Sequence, residues 1–165
     1  NYLTSKILPL TPGTLPVSVT SFIYGPELIS SWADKVIAMS QRPYFKWRDV
    51  YDMWFLDRRM KELDRATGKD FAPYPTNAQF FDALEATASI YGNTVDDVGA
   101  GIISLLEKNV FGDADQYARD IAKWLPATRD RSPELLDLHR RAAQSEVERA
   151  LAIIQEFSPA SGPNP

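Results

Sequence analysis

A chain of 165 residues that is 44% hydrophobic and 24% charged is long enough for one domain with a real core and has the composition of a globular protein. With no Cys it excludes a disulfide framework and thiolate metal sites, and its single His argues against a His-based metal centre or a Ser-His-Asp relay, which points any chemistry to carboxylates, Lys, Arg and bound ions. The net charge of -4 is uneven: residues 1–69 hold 10 Lys or Arg against 7 Asp or Glu, and residues 70–165 hold 8 against 15, which favours phosphates weakly in the first part and argues against a general nucleic-acid coat.

Residues 1–25 alternate short β-favouring runs with Pro and Gly. Ile7–Leu10 and Val17–Tyr24 read as two strands around a Thr-Pro-Gly turn. Two strands are marginal alone, and the chain starts at Asn1 within strand-like material, so a piece of a larger protein is expected. From Pro26 the pattern is helical. The first helix covers about 26–41, with Pro in its first turn, and the second about 45–66, ending near Gly68. A loop with Pro73 and Pro75 leads to a helix opened by Thr76 and Gln79 as a capping box and closed at Gly92. The next opens similarly at Thr94–Asp97 and reaches about Lys108. A fifth covers about 113–124 before Pro126. The sixth starts with Ser132 as N-cap and Pro133 at the first helical position and extends to about Phe157. The tail 158–165 reads as frayed. No run approaches the ~20 apolar residues of a membrane span and no signal-type leader is present, so the expected location is cytoplasmic, with no membrane partner.

At about 100° per residue, Leu28, Ile29, Trp32, Val36 and Met39 share one stripe of the first helix, with Lys35 at its edge. The second helix has two stripes, one of Trp47, Val50, Tyr51 and Trp54 and one of Leu56, Met60 and Leu63. A helix apolar on both sides is central to its domain. Asp49 and Asp52 stand at the N-terminal end of the second stripe, flanked by Arg48. Acids there complement the helix dipole, and Arg48–Asp52 has the i,i+4 spacing of a surface pair. Carboxylates at the mouth of a buried face are equally placed to meet a metal-bound phosphate, a proton or a Lys.

The stretch PELISSWADKVIAMSQRPYFKWRDVYDMWFL resembles the segment of AbiEii/AbiGii-type nucleotidyltransferase toxins that carries their third and fourth motifs. Glu27, Leu28, Lys35, Ala38, Arg42, Arg48, Asp49, Tyr51 and Asp52 match in order and spacing. The resemblance implies a polymerase-β-like fold in which magnesium and a nucleoside triphosphate serve the complete enzyme. It implies catalytic roles for Lys35, as phosphate contact, and for Asp49, supported by Asp52, with Arg48 and Arg42 binding substrate. The family's Gly-Gly or Gly-Ser and Asp-x-Asp metal motif has no counterpart here. No metal ligand and no bound cofactor are therefore expected in this chain, and no turnover by it alone. The partners implied are an N-terminal nucleotidyltransferase region, an antitoxin and an RNA acceptor such as tRNA, in a toxin–antitoxin or abortive-infection system.

Other candidates read as structural. Asp96-Asp97 is a helix-start pair. Asp113 and Asp115 lack the Gly and closing Glu of a calcium loop, and residues 67–70 lack a Walker lead-in. His139, whose distance from Arg131 does not fit a helical RNase motif, reads as a surface or boundary histidine. The expected fold is mainly α: about six helices in a bundle over residues 26–157, preceded at 1–25 by a β-hairpin remnant of a nucleotidyltransferase sheet. The expected function is the C-terminal part of a nucleotidyltransferase toxin; the alternative is a non-catalytic helical protein-binding module.

Overall fold

The computed structural model describes residues 6–8, 23–25, 27–67 and 73–158. Among these the protein is mainly helical, with α1 (Leu28–Gln41), α2 (Trp47–Thr67), α3 (Asn77–Ile90), α4 (Val95–Glu107), α5 (Ala114–Trp124) and α6 (Pro133–Phe157). A 3-10 turn at Val110–Gly112 links α4 to α5. Each helix expected from periodicity is present, with ends within about two residues of those read from caps and breakers. Lys6–Leu8 and Ile23–Gly25 pair antiparallel, but three residues each fall short of the expected hairpin. The rest of Ile7–Leu10 and Val17–Tyr24 lies outside the described residues, as do Gly68, residues 69–72 and the tail beyond Ser158. A remnant of a larger sheet is not shown.

Local chemistry sets the helix ends. Thr76 accepts from the Gln79 backbone N–H while the Gln79 side chain accepts from Thr76 N–H, and Thr94 and Asp97 do the same for α4, so each box satisfies two of the N–H groups a helix start leaves unpaired. Gly92 follows α3 at φ 74°, a left-handed conformation that glycine adopts without Cβ cost. Asp113 caps α5 by accepting from Gln116 N–H at 2.9 Å, the helix-start role expected of it.

The core fills the space between α1, α2, α3, α4 and α6. Trp32, Val36, Val50, Met53, Phe80, Leu84, Ile102, Val147 and Ile153 are fully buried, and Trp32 meets Phe80 edge-on at 4.6 Å between centroids. The two stripes of α2 are both covered, which makes it the central helix: Leu56 and Met60 are buried, while Trp47, Tyr51 and Trp54 are half-buried towards α5 and α6. Helix α1 lies so close to α4 that a Cβ on Gly101 would sit 2.6 Å from Gln41 Nε2 and collide with the Ser40 carbonyl. Gln41 Nε2 closes this contact by donating to the Asp97 carbonyl at 2.8 Å. The α1–α4 contact fixes the C-terminal half of α1, and with it the direction in which Lys35 leaves the helix.

Candidate functional site

Helix α1 ends at Gln41, and after five intervening residues α2 starts at Trp47, so the chain folds back and brings the last turns of one helix against the first turns of the next. Lys35 and Asp49 face each other across this junction. Lys35 Nζ donates to Asp49 Oδ1 at 2.8 Å and lies 2.9 Å from Asp52 Oδ2. Arg42, from the connection, donates from Nη1 to Asp49 Oδ2 at 2.7 Å. Both oxygens of Asp49 are thus held by cations, and the residue is 3% exposed. Arg48 approaches Asp52 only to 3.9 Å, with its guanidinium largely in solvent and over the ring of Trp124.

The five residues singled out for chemistry therefore occupy one place: Lys35, Arg42, Asp49 and Asp52 in contact, and Arg48 at the margin. The cluster has three cations and two acids. Burial pulls the Lys35 pKa down, but its hydrogen bonds to Asp49 and Asp52 and their charges outweigh this and hold it above the usual lysine value. The amine stays protonated at any physiological pH. Next to the cluster, Tyr91 Oη donates to Asp34 at 2.5 Å, and this bond raises the phenol's pKa while the nearby Arg42 charge opposes it.

The donor set does not fit a magnesium ion. A hard cation needs several oxygen ligands with lone pairs to give, whereas Asp49 and Asp52 share the Lys35 ammonium and Asp49 also binds Arg42. Among the described residues no group of three or more acidic or His side chains is arranged around a common point.

A second polar cluster, not anticipated from sequence, lies farther along α2. Trp32 Nε1 donates to Glu146 Oε2 at 2.8 Å, and Arg149 lies 3.4 Å from the same oxygen. Arg149 also donates to Tyr74 Oη at 2.6 Å, and Tyr74 Oη donates to Asp57 Oδ1 at 3.1 Å. Lys61 closes the set on Asp57 Oδ2 at 2.7 Å. The Arg149 guanidinium covers the face of Phe80, 3.9 Å from its centroid. Burial raises the Glu146 pKa, the Asp57 charge adds to this, and Arg149 and the Trp32 hydrogen bond oppose it. One signal was readable: Glu146 falls among Ala143, Val147 and Ala150, at the helical spacing of core positions, where a carboxylate must find partners.

His139 corrects the sequence reading. It is 1% exposed, packed against Trp54 with ring centroids 4.1 Å apart and edge-on to Tyr51. Its Nδ1 shares a 2.9 Å hydrogen bond with Tyr117 Oη, while its Nε2 has no partner. Burial pushes its pKa down to about 4, only partly countered by Asp130, so it is a neutral core residue. Of the arginines that follow it, Arg141 binds Asp137 from an exposed position, whereas Arg140 is largely buried, binding Asp137 and donating to the Phe111 carbonyl at 2.6 Å.

Comparison of the chain with models of known protein families, with curated proteins and with solved structures finds no match. No helix among the described residues is long and apolar enough to cross a membrane.

Proposed function

We propose that this chain is the C-terminal, helical part of a nucleotidyltransferase toxin of the AbiEii/AbiGii type, acting in the cytoplasm and paired with an antitoxin. The complete enzyme moves a nucleotide from a triphosphate to an RNA acceptor such as a tRNA end. Its metal-binding carboxylates lie on a region outside this sequence, and the Lys35 cluster is the part of the active site contributed here.

The observation that carries the reading is the meeting of Lys35 with both Asp49 and Asp52, within 2.9 Å. Three residues chosen from a motif 18 positions long, on two helices, converge on one point. In this reading Lys35 is a permanent point charge for the transferring phosphate, which takes the place of Asp52 on the ammonium. Arg42 holds Asp49 in position, Asp49 faces the reacting phosphoryl group, and Arg48, exposed beside Asp52, meets the substrate from the solvent side. Such a reaction asks mainly for positioning and cations. No step is assigned to magnesium on these residues, because their oxygens are committed to Lys35 and Arg42.

A second reading has a specific observation in its favour. Because both Asp49 oxygens are already satisfied, the cluster can serve as an α1–α2 clamp in a non-catalytic protein-binding module. Asp49→Asn separates the two. In the protein joined to the region bearing the metal carboxylates, the substitution should reduce incorporation of a labelled nucleotide into RNA to background. Unchanged incorporation would reject the catalytic role and leave the clamp.

A further inference from the structure

We infer that the groove along α2 where it borders α6 is a docking surface for single-stranded nucleic acid, distinct from the Lys35 cluster and independent of whether that cluster transfers nucleotides. Tyr51, Trp54 and Phe55 line a hollow of about 260 Å³ together with Arg58, Arg59 and Arg129. A neighbouring hollow of about 570 Å³ shares Trp54, Arg58 and Glu62 with it and continues between Lys61 and Arg65 of α2 and Leu138 and Ser145 of α6.

Two features select the ligand. The first is aromatic. Phe55 is 48% exposed, and its ring lies within 13° of parallel to Tyr51 at 6.5 Å between centroids, close to twice the ~3.4 Å rise between stacked bases. Arg58 stands over the neighbouring Trp54 at 5.5 Å. Phe55 is the open ring of the three, with Tyr51 and Trp54 half-buried beside it, and rings and guanidinium planes that reach a surface are the platform on which unpaired bases stack, whatever their sequence.

The second feature is charge. Along the two hollows, Arg58, Arg59, Lys61, Arg65 and Arg129 face only three acids, Asp57, Glu62 and Glu146, on a chain whose net charge is -4. Arg58 and Arg59 share one carboxylate, that of Glu62, at 2.7 and 3.6 Å, so the pair keeps an unbalanced positive charge. From Tyr51 to Arg65 the helix rises about 21 Å, a span that suits several nucleotides of strand rather than one. A duplex keeps its bases stacked on each other and offers these rings nothing to stack on. An excess of cations on a generally acidic chain also gives the strand a preferred face to approach.

The test is a fluorescence-anisotropy titration of the chain against a fluorescein-labelled, mixed-sequence single strand of about twelve nucleotides at low salt. The same titration is run with a duplex of equal length, and AMP is added as competitor. The strand should bind more tightly than the duplex and weaken as salt rises, and AMP should compete only at far higher concentration. Phe55→Ala and Arg59→Gln, both at exposed positions, should each weaken binding about tenfold while leaving the helical circular dichroism unchanged. Absence of strand binding, equal binding of duplex, AMP competing as well as the strand, or affinity untouched by both substitutions would overturn the assignment and leave this face to a protein partner.

Discussion

Helix α2 carries carboxylates in two settings, one at a single helix junction and one at the meeting of three helices and a loop. At its start, Asp49 and Asp52 meet Lys35 and Arg42, cations whose side chains are 25% and 33% exposed. Two turns on, Asp57 joins Glu146, Tyr74 and Arg149 around the rings of Trp32 and Phe80. The first cluster joins neighbouring helices and keeps its cations within reach of water. The second ties α1, α2, the loop before α3, and α6 together, with Glu146 almost fully buried. Burial does not separate the two, for Asp49 is 3% and Glu146 6% exposed and the side chains of Lys35 and Arg149 are 25% and 24% exposed; what differs is how many elements each cluster joins. Replacing a partner at the rim loosens one helix junction, whereas breaking the inner network releases three helices and a loop at once.

The largest effect is expected from Arg149→Ala. It leaves Glu146 with a buried charge and strips the cation from Phe80, and should cost about 3 kcal/mol, read as a lower denaturant midpoint at constant slope. A cost below about 1 kcal/mol would erase the distinction between the two regions.

Acidity should move the interior more than the rim, with two groups of opposite sign. His139 has a folded pKa of about 4 against 6.5 unfolded. Its contribution is complete above pH 6.5 and is lost as the pH falls through about 4. The folded pKa of Glu146 is raised above the ordinary 4.5, so its contribution is complete below 4.5 and is lost as the pH rises through the folded value. Stability should therefore decline between pH 6.5 and 4 on account of His139. His139→Gln, which keeps an acceptor for Tyr117, should flatten that limb, and Glu146→Gln should make the decline steeper by removing the opposing term. Denaturant midpoints across this range decide it; a wild-type limb unchanged in His139→Gln would show that the histidine is not the group being charged.

At the rim, Asp49→Asn should cost about 1 kcal/mol, because Lys35 keeps Asp52 and Arg42 can turn to water. Arg48→Gln, at a 3.9 Å exposed pair, should change stability by under about 0.5 kcal/mol. If Asp49→Asn proved as damaging as Arg149→Ala, the rim cluster would hold the fold together as the inner one does.

These differences also explain what was legible in the sequence. The rim cluster falls within residues 35–52, where helical spacing set Lys35 at a stripe edge and Asp49 with Asp52 on one face, while Arg42 and the grouping of these residues as one site came from the resemblance. Caps and breakers, being local, placed all six helices. The inner network joins Trp32 to Glu146 across 114 positions, and Tyr74 reaches it from a loop; no local period encodes such pairings. His139 was misread for the same reason: its neighbours in sequence are charged, while its neighbours in space are Tyr51, Trp54 and Tyr117. Tyr51, Trp54 and Phe55 lie within the stretch that carries the resemblance, but the period placed Tyr51 and Trp54 in the core stripe and did not tell that Phe55 stays open.

The measurement that bears most directly on the rim cluster as an active site is Lys35→Met in the protein joined to its metal-binding region, with nucleotide incorporation and denaturant midpoint read on one preparation. Incorporation should fall by at least about a hundredfold, as expected for loss of a charge on the transferring phosphate, with the midpoint shifted by no more than about 1 kcal/mol. Full incorporation by the variant, or a loss of activity that merely follows unfolding, would contradict it.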